Sequence, residues 1–292
     1  MKKILIALLT LLTLICACGL SACNKNKHKH TKSDWIIVEQ ASCRSKGLKQ
    51  KKCLTCDEVV EIAVVSKAYE HNYVYGECIA CEKIDSTYMT EGLVYALIDG
   101  DSEYKVTGYT GNSAEVIIPA IYRGKPVTSI GDETFSNCSF LTNIVIPNSV
   151  TNVGHWAFAN CDNLNYNIKD GLKYLGNSEN KYLYLAGTTS LFISSATINS
   201  NCRIIGDRAF YYCTALTNVF IPETVTSIGD YAFSSCTALT SMVISEAITG
   251  MGAYAFADCT SLTIYCKALD IPSGWSSDWN YSNCPVVWGY KG

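Results

Sequence analysis

A glycine that recurs at a fixed distance constrains the fold of this chain more than any other feature. The glycines stand 23, 52, 23 and 23 residues apart, at Gly131, Gly154, Gly206, Gly229 and Gly252. A phenylalanine, a cysteine and a leucine keep constant offsets from each glycine, as Phe233, Cys236 and Leu239 do. Periods of about 20–50 residues are typical of solenoids, in which each coil buries its apolar side against its neighbours. The sequence therefore predicts a stack of coils.

The residue pattern within one coil predicts a short strand followed by a turn. Ile144 and Ile146 alternate with Asn143 and Val145, so the isoleucines should face the core and the other two should face outward. A short helical or 3₁₀ turn is expected after each glycine, which makes the predicted class an α/β repeat solenoid. The repeat phenylalanines are expected to be buried between coils: Phe158, Phe210, Phe233 and Phe256.

The strand alternation also predicts a row of outward-facing residues along the sheet. The residues of this predicted binding surface are Ile117, Asn143, Val145, Asn218, Phe220, Ser241 and Val243. Exposed apolar side chains need an explanation when they are contiguous, because such patches mark interaction sites. Phe220 is the expected anchor, since aromatic residues dominate the energetics of interfaces.

Two polar ladders accompany the repeat. Asp132, Asp207 and Asp230 each follow a turn glycine, where a carboxylate is expected to cap the N–H groups at the start of a short helical turn. The repeat cysteines are expected to be buried free thiols with parallel side chains. Outside that ladder, Cys266 and Cys284 are the best candidates for a disulfide.

The Ile-Gly-Asp and Ala-Phe-x-x-Cys signatures, with the Leu-Thr-x-Val-x-Ile-Pro strand, resemble the BspA-type leucine-rich-repeat family of bacterial and protist surface proteins. This resemblance runs from about Glu91 to the C-terminus. It implies a curved solenoid with short parallel strands on the concave face, and a role in adhesion or in binding host and matrix components. The array is expected at residues 91–264, with an insertion near 171–201 that explains the 52-residue gap and a cap at 265–292.

The N-terminal region predicts a lipid anchor. Lys2 and Lys3 precede an apolar run, so residues 1–22 have the features of a secretory signal peptide. The run Leu20-Ser21-Ala22-Cys23 resembles the lipobox of bacterial lipoproteins, which implies lipid attachment at Cys23. Residues 23–34 are polar and lysine-rich and are expected to be a tether. The protein is therefore expected outside the cytoplasm, at the cell membrane or cell surface.

A small cysteine-rich module is expected at residues 35–90, ahead of the array. Two C-x-x-C pairs, Cys53 with Cys56 and Cys78 with Cys81, offer the four thiolates of a tetrahedral zinc site. Disulfides are the competing interpretation outside the cytoplasm, and free thiols are a third. A structural zinc ion is the one cofactor that the sequence suggests.

Charge and motifs exclude two broad classes of function. The chain has 23 basic and 26 acidic side chains, a balance that does not favour nucleic acid as a partner. It lacks the G-x-S-x-G, H-E-x-x-H, Walker and G-x-G-x-x-G motifs, so no enzyme is expected. The predicted function is that of a lipid-anchored surface protein that binds a protein or a glycan. The alternatives are a structural stalk protein without a ligand and a metal-binding lipoprotein that uses the cysteine-rich module.

Overall fold

The computed structural model describes residues 31–39, 47–65, 73–74, 77–78, 85 and 87–292, with the backbone alone at 39, 73, 74, 77 and 78. Two compact units are present, one of Met1–Tyr73 with Cys78–Lys83 and one of Val74–Glu77 with Ile84–Gly292. The predicted signal peptide, Cys23 and Cys81 lie outside the described residues. Within the described residues, no helix has the length and apolar character needed to span a bilayer.

The first unit contains a three-stranded antiparallel sheet. Its strands are β1 (Ile36–Glu39), β2 (Gly47–Lys52) and β3 (Val59–Val65), in that order across the sheet. The Cys53-Leu54-Thr55-Cys56 segment forms the turn between β2 and β3. Two short strands follow and pair with each other, β4 (Tyr73–Val74) and β5 (Glu77–Cys78).

The second unit carries the repeat array. Its strands are β6 (Leu93–Ile98), β7 (Glu103–Tyr109), β8 (Glu115–Ile117), β9 (Ile121–Tyr122), β10 (Lys125–Ile130), β11 (Asn143–Val145), β12 (Asn152–Val153), β13 (Asn167–Lys169), β14 (Leu172–Leu175), β15 (Tyr184–Thr188), β16 (Ser195–Thr197), β17 (Ile204–Ile205), β18 (Asn218–Phe220), β19 (Ser227–Ile228), β20 (Ser241–Ile244), β21 (Gly250–Met251), β22 (Thr263–Cys266), β23 (Gly274–Trp275) and β24 (Val286–Trp288). The sheet β12-β10-β7-β6, with β9 against β10, opens the unit, and β11 pairs with β8. A seven-stranded sheet follows, in the order β13-β14-β15-β17-β19-β21-β23. The strands β16-β18 and β20-β22-β24 form two smaller sheets.

Successive coils pair in parallel with a register that follows the sequence period. Ile205 aligns with Ile228, Ile228 with Met251, and Met251 with Trp275. The predicted repeat solenoid is therefore confirmed. The predicted cap continues the same stack, because β24 pairs in parallel with β22.

The expected α/β class is wrong, because the turns after the glycines are not helical. In place of i−4 bonds, alternate N–H groups donate to the next coil: Phe210 N to Ala232 O at 2.7 Å and Tyr212 N to Ser234 O at 3.0 Å. Arg208 and Tyr212 have positive φ angles of 55° and 59°, which interrupt any right-handed helical turn. The described residues contain strands and turns and no helix, so the array is a β-solenoid.

The repeat phenylalanines stack through the core, with one exception. Phe210, Phe233 and Phe256 are fully buried, and their neighbouring rings are 5.0 and 5.6 Å apart between centroids. Phe158 was expected to be buried too, but it is only half-buried. Its ring stacks on Phe135 at 5.6 Å, while its other side meets the edge of Tyr184 at 5.5 Å. The reason is that no regular coil follows it.

The insertion builds a hairpin into the stack. Asn167 begins β13, which pairs antiparallel with β14, and β14 pairs antiparallel with β15. The strand β15 then pairs in parallel with β17 and rejoins the repeat. Tyr174 and Leu185 are buried in the core, so the inserted residues are part of the fold.

Candidate functional site

The strand alternation places one row of side chains on the outer face of the later strands. Phe220 is 59% exposed and Val243 is 42% exposed, whereas their neighbours Val219 and Met242 are buried. Thr197 aligns with Phe220 on the adjacent strand, and β20, which carries Val243, lies next to β18. Asn143, Asn218 and Ser241 are exposed on the outward side of their strands.

The row continues into the segment that the sequence assigned to the cap. Val243 aligns with Tyr265, and Tyr265 aligns with Val287, which is 42% exposed. We define the outward row as Thr197, Phe220, Val243, Tyr265 and Val287. Sequence reasoning missed three of its members, Thr197, Tyr265 and Val287, although the alternation within Thr263–Cys266 carries the same signal as the earlier coils.

The other end of the predicted row is less exposed. Ile117 and Val145 are half-buried, and they pair with each other on β8 and β11. Thr90 lies against Ile117 and exchanges hydrogen bonds with its backbone, while Gly176 of the insertion bridges to Val145. Ile117 and Val145 are therefore less exposed than Phe220 and Val243, and their part in a binding surface stays a prediction.

A charged pair borders the outward row. Lys267 Nζ lies 2.7 Å from Glu223 Oε1, and the Ser245 hydroxyl also donates to the Glu223 carboxylate. Together the hydrogen bonds from Lys267 and Ser245 hold the pKa of Glu223 below its usual value. The apolar row thus has a polar edge, an arrangement typical of protein interfaces.

The turn aspartates bind the neighbouring coil, not their own turn as predicted. Asp132 Oδ1 accepts the His155 N–H at 2.9 Å, and Asp207 Oδ1 accepts the Asp230 N–H at 2.8 Å. Asp230 Oδ1 accepts the Ala253 N–H at 2.7 Å. The N-cap interpretation is wrong because the turns are not helical. Each carboxylate instead accepts a backbone N–H from the next coil and so links the two coils.

Asp207 also joins the two parts of the array across the insertion. Its Oδ2 accepts the Trp156 N–H at 2.8 Å, and burial raises the pKa of its carboxyl group. The His155 Nδ1 lies 2.6 Å from Asp230 Oδ2 and 3.5 Å from Asp207 Oδ2. These three are the one group of three potential metal-ligating side chains in the described part of the chain. Because both carboxylate oxygens of Asp207 already accept backbone N–H groups, we interpret these three side chains as a structural link between the two parts of the array.

The repeat cysteines form a second ladder between coils. Cys161 Sγ lies 3.0 Å from Phe135 O, Cys236 Sγ lies 3.2 Å from Phe210 O, and Cys259 Sγ lies 3.0 Å from Phe233 O. The described repeat cysteines are free thiols, and so are Cys266 and Cys284, so the expected disulfide between the last two is wrong. Cys284 instead extends the ladder, since its Sγ lies 3.5 Å from Cys259 O.

Burial should keep three of the array thiols unreactive. It raises the pKa of Cys161 and Cys284 to about 11 and that of Cys266 to about 12. At pH 8 roughly one thiol in 1,000 would be a thiolate, the form that reacts, at Cys161 and Cys284, and roughly one in 10,000 at Cys266. We expect iodoacetamide at pH 8 to leave Cys161, Cys266 and Cys284 of the folded protein unmodified and to alkylate them in guanidinium, as measured by peptide mass spectrometry. Alkylation of Cys266 in the folded protein would contradict this.

The proposed zinc site in the first unit remains a prediction. Cys53 is buried and Cys56 is half-buried, and the Thr55 N–H lies 3.4 Å from the Cys53 Sγ. A turn in which a backbone N–H approaches a thiol sulfur fits a metal-binding knuckle. Cys78 is described by its backbone alone, and Cys81 lies outside the described residues.

The stacked coils and their carboxylate and thiol ladders define a leucine-rich-repeat solenoid. The chain belongs to the BspA type leucine rich repeat family, because six copies of that repeat match residues 112–184 and 187–274, more than half of the chain. No curated protein matches it.

Solved structures similar to this chain come from several bacteria. A leucine-rich repeat protein of T. pallidum is 24% identical, with a TM-score of 0.34, over 60% of this chain and 69% of that one. A leucine-rich cell surface protein of Faecalibacterium prausnitzii is 26% identical, with a TM-score of 0.31, over 65% of this chain and 56% of that one. A leucine-rich repeat protein of Bacteroides ovatus is 23% identical, with a TM-score of 0.30, over 69% and 71%.

Proposed function

We propose that this protein is a surface-exposed binding protein that captures a partner through the outward row. The observation that carries the proposal is the exposure of Phe220, a large aromatic side chain on a regular strand, next to the buried Val219. A protein is the favoured partner and a glycan is the alternative. Leucine-rich-repeat proteins generally bind proteins, and the family membership supports a non-enzymatic role.

The shape of the outward row supports a contact with an extended surface. The row runs over two sheets, and strands within a sheet lie about 4.8 Å apart, so β20, β22 and β24 alone span about 10 Å. The backbone beneath them is held by parallel pairing, which limits the conformational entropy lost on binding. A rigid apolar row with a polar edge suits one small domain or one extended segment of a partner.

Replacing Phe220 by alanine should weaken partner capture without changing the melting temperature. Because aromatic anchors at interfaces contribute about 2 kcal/mol or more, we expect affinity to fall by at least about tenfold. Binding to immobilised purified matrix proteins and polysaccharides would measure the effect. The matched control is Phe192→Ala, since Phe192 is 85% exposed outside any strand. Equal losses in the two variants, or no loss in Phe220→Ala, would contradict the proposal.

We further propose that the protein is held at the membrane by lipid on Cys23. The support is the Leu20-Ser21-Ala22-Cys23 sequence after an apolar run. Cys23→Ser should move the protein from the membrane fraction to the soluble fraction and abolish incorporation of labelled palmitate. Cys18→Ser is the control and should leave both unchanged. Membrane retention of the Cys23→Ser protein would argue against the anchor.

A further inference from the structure

A ladder of aromatic side chains with one arginine runs along the turns that follow the repeat glycines. Its members occupy the second position after the glycine in successive turns, except the last, which lies in the C-terminal cap. We define the tyrosine ladder as Trp156, Arg208, Tyr231, Tyr254 and Tyr281. Tyr231 stacks on Tyr254 with the ring centroids 5.0 Å apart, and Tyr254 meets Tyr281 at 5.0 Å. These side chains therefore form a continuous surface across successive coils.

Arg208 carries the positive charge of the ladder. Its guanidinium carbon lies 5.4 Å from the centre of the Trp156 ring, 5.4 Å from that of the Tyr211 ring and 5.6 Å from that of the Tyr231 ring. Contacts of this kind hold a guanidinium in place by cation–π attraction. Arg208 is exposed, and it makes no ion pair with a side chain in the described part of the chain. Its N–H donors are therefore available to an anion from outside.

The backbone conformation does not explain which residues stand in the ladder. Each of these turns has two residues with positive φ, and in one coil they are Tyr254 at 58° and Asp258 at 60°. The second position holds an asparagine or an aspartate in three of five turns, and these residue types tolerate the conformation. The first position holds a glutamate, a tryptophan, an arginine and two tyrosines, which the conformation disfavours. The ladder residues are therefore favoured for the contacts of their side chains.

The stacking within the ladder favours a polypeptide over a sugar as its ligand. Tyr231 lies one coil after Arg208 and one coil before Tyr254, so a side chain covers each face of its ring. A sugar ring packs on a free aromatic face, and Tyr231 offers none. Its edge and hydroxyl group remain. The hydroxyl groups of Tyr231, Tyr254 and Tyr281 have no hydrogen-bond partner among the described residues, so they can bind the polar groups of a polypeptide.

A cavity of about 350 Å³ opens beside Arg208. Trp156 and Arg208 are part of its wall, and Phe158, Tyr166 and Tyr184 supply apolar surface. That volume is at the lower end of the range for ligand pockets, which is about 300–1,000 Å³. The cavity therefore has room for one apolar side chain, next to the point at which the guanidinium can bind a carboxylate.

We propose that the tyrosine ladder binds an acidic segment of a partner protein, with a carboxylate of that segment on Arg208. Arginine pairs with a carboxylate through two parallel N–H···O bonds, which give the contact both strength and direction. Tyrosine, tryptophan and arginine are also the residues that dominate the energetics of protein interfaces.

The tyrosine ladder is separate from the outward row. The ladder lies mainly in the turns that follow strands β17, β19 and β21 of the seven-stranded sheet, whereas the outward row lies on strands of the two smaller sheets. Either surface can therefore bind a partner without the other.

The probe is a fluorescent capped peptide, Gly-Phe-Tyr-Glu-Tyr-Phe-Gly, and the matched control peptide has glutamine in place of glutamate. Fluorescence anisotropy with the full-length protein should show saturable binding that is at least tenfold tighter for the glutamate peptide. Arg208→Gln should remove this preference, so that both peptides bind alike, because the preference belongs to the pair of charges. Arg203→Gln, which removes an exposed positive charge outside the ladder, should keep it. Absence of saturable binding at millimolar glutamate peptide, or a preference that survives Arg208→Gln, would overturn the proposal.

Two further variants separate the ladder from the rest of the surface. Tyr254→Phe keeps the stacked ring and removes the hydroxyl group, so it should weaken binding about fivefold, the effect of one hydrogen bond, with an unchanged melting temperature. An unchanged affinity would show that the ladder serves only to stack the coils. Phe220→Ala should bind the glutamate peptide as the unchanged protein does, and a loss there would place the peptide on the outward row and overturn the assignment.

Photocrosslinking locates the bound peptide without a variant. A probe with benzoylphenylalanine in place of its phenylalanines becomes attached on irradiation to the residues that it contacts. Mass spectrometry should find it attached within residues 206–212, 229–235 or 252–258, and an excess of the unlabelled glutamate peptide should prevent the attachment. Attachment only outside the ladder turns would contradict the assigned site.

Discussion

Replacing Phe233 by alanine should destabilise the array by about 3–5 kcal/mol, the usual cost of truncating a fully buried phenylalanine. Phe233 has no exposed surface, and its ring stacks between Phe210 at 5.0 Å and Phe256 at 5.6 Å. Because coils share their interfaces, the loss should reach the neighbouring coils as well. Guanidinium denaturation followed by tyrosine and tryptophan fluorescence would measure the change in the free energy of unfolding.

Two other phenylalanines supply the comparison for this result. Phe158→Ala should cost less, because Phe158 is half-buried and has no regular coil on its far side. Phe220→Ala should change the free energy of unfolding by less than about 0.5 kcal/mol, as is usual for surface substitutions. Equal melting temperatures for the Phe233→Ala and Phe220→Ala proteins would show that the assigned strand and turn register is incorrect.

Replacing Asp207 by asparagine should destabilise the junction between the two parts of the array by about 1 kcal/mol, the usual net contribution of one hydrogen bond. Asp207 uses both carboxylate oxygens, one for the Asp230 N–H and one for the Trp156 N–H. An asparagine side chain has a single acceptor oxygen, so its amide group would face one of the two N–H donors. The Trp156 and Asp230 amides should then exchange faster with solvent.

Asp132→Asn is the matched control for the junction. Asp132 accepts a single backbone N–H, that of His155, and asparagine retains the acceptor needed for it. We therefore expect little change in thermal stability for this variant. If both substitutions lower the melting temperature equally, the loss of negative charge is the cause, and the bridging role of Asp207 is incorrect.

The sequence predicted most of the array because its signals are periodic. A constant offset between Gly229, Phe233 and Cys236 shows which residues share a place in successive coils. Alternation within Asn218–Phe220 then separates the buried Val219 from the exposed Phe220, as the structure has it. Both inferences need local spacing alone, since the backbone geometry of a strand is independent of what packs on it.

The aspartate ladder was assigned to the correct residues but to the wrong partners. A glycine followed by Asp207 matches a helix N-cap, and nothing local distinguishes that from a bond to the next coil. The distinction depends on where the turn N–H groups donate, and Phe210 N donates to Ala232 O across the stack. The packing of neighbouring coils decides whether a turn N–H donates within its own turn or to the next coil. The sequence pattern of one coil contains no information on that packing.

The sequence by itself determined the period, the buried and exposed faces of the strands and the residues that repeat between coils. The tertiary structure alone decided the interruption at the insertion. Whether Phe158 is covered depends on where Tyr184 and Asp207 lie, and these are distant in sequence. The local sequence pattern of the antiparallel strands β13, β14 and β15 does not show whether they complete a coil of the array or interrupt it. The incomplete burial of Phe158 follows from the antiparallel pairing of Thr188 with Leu172, which no spacing within one coil encodes.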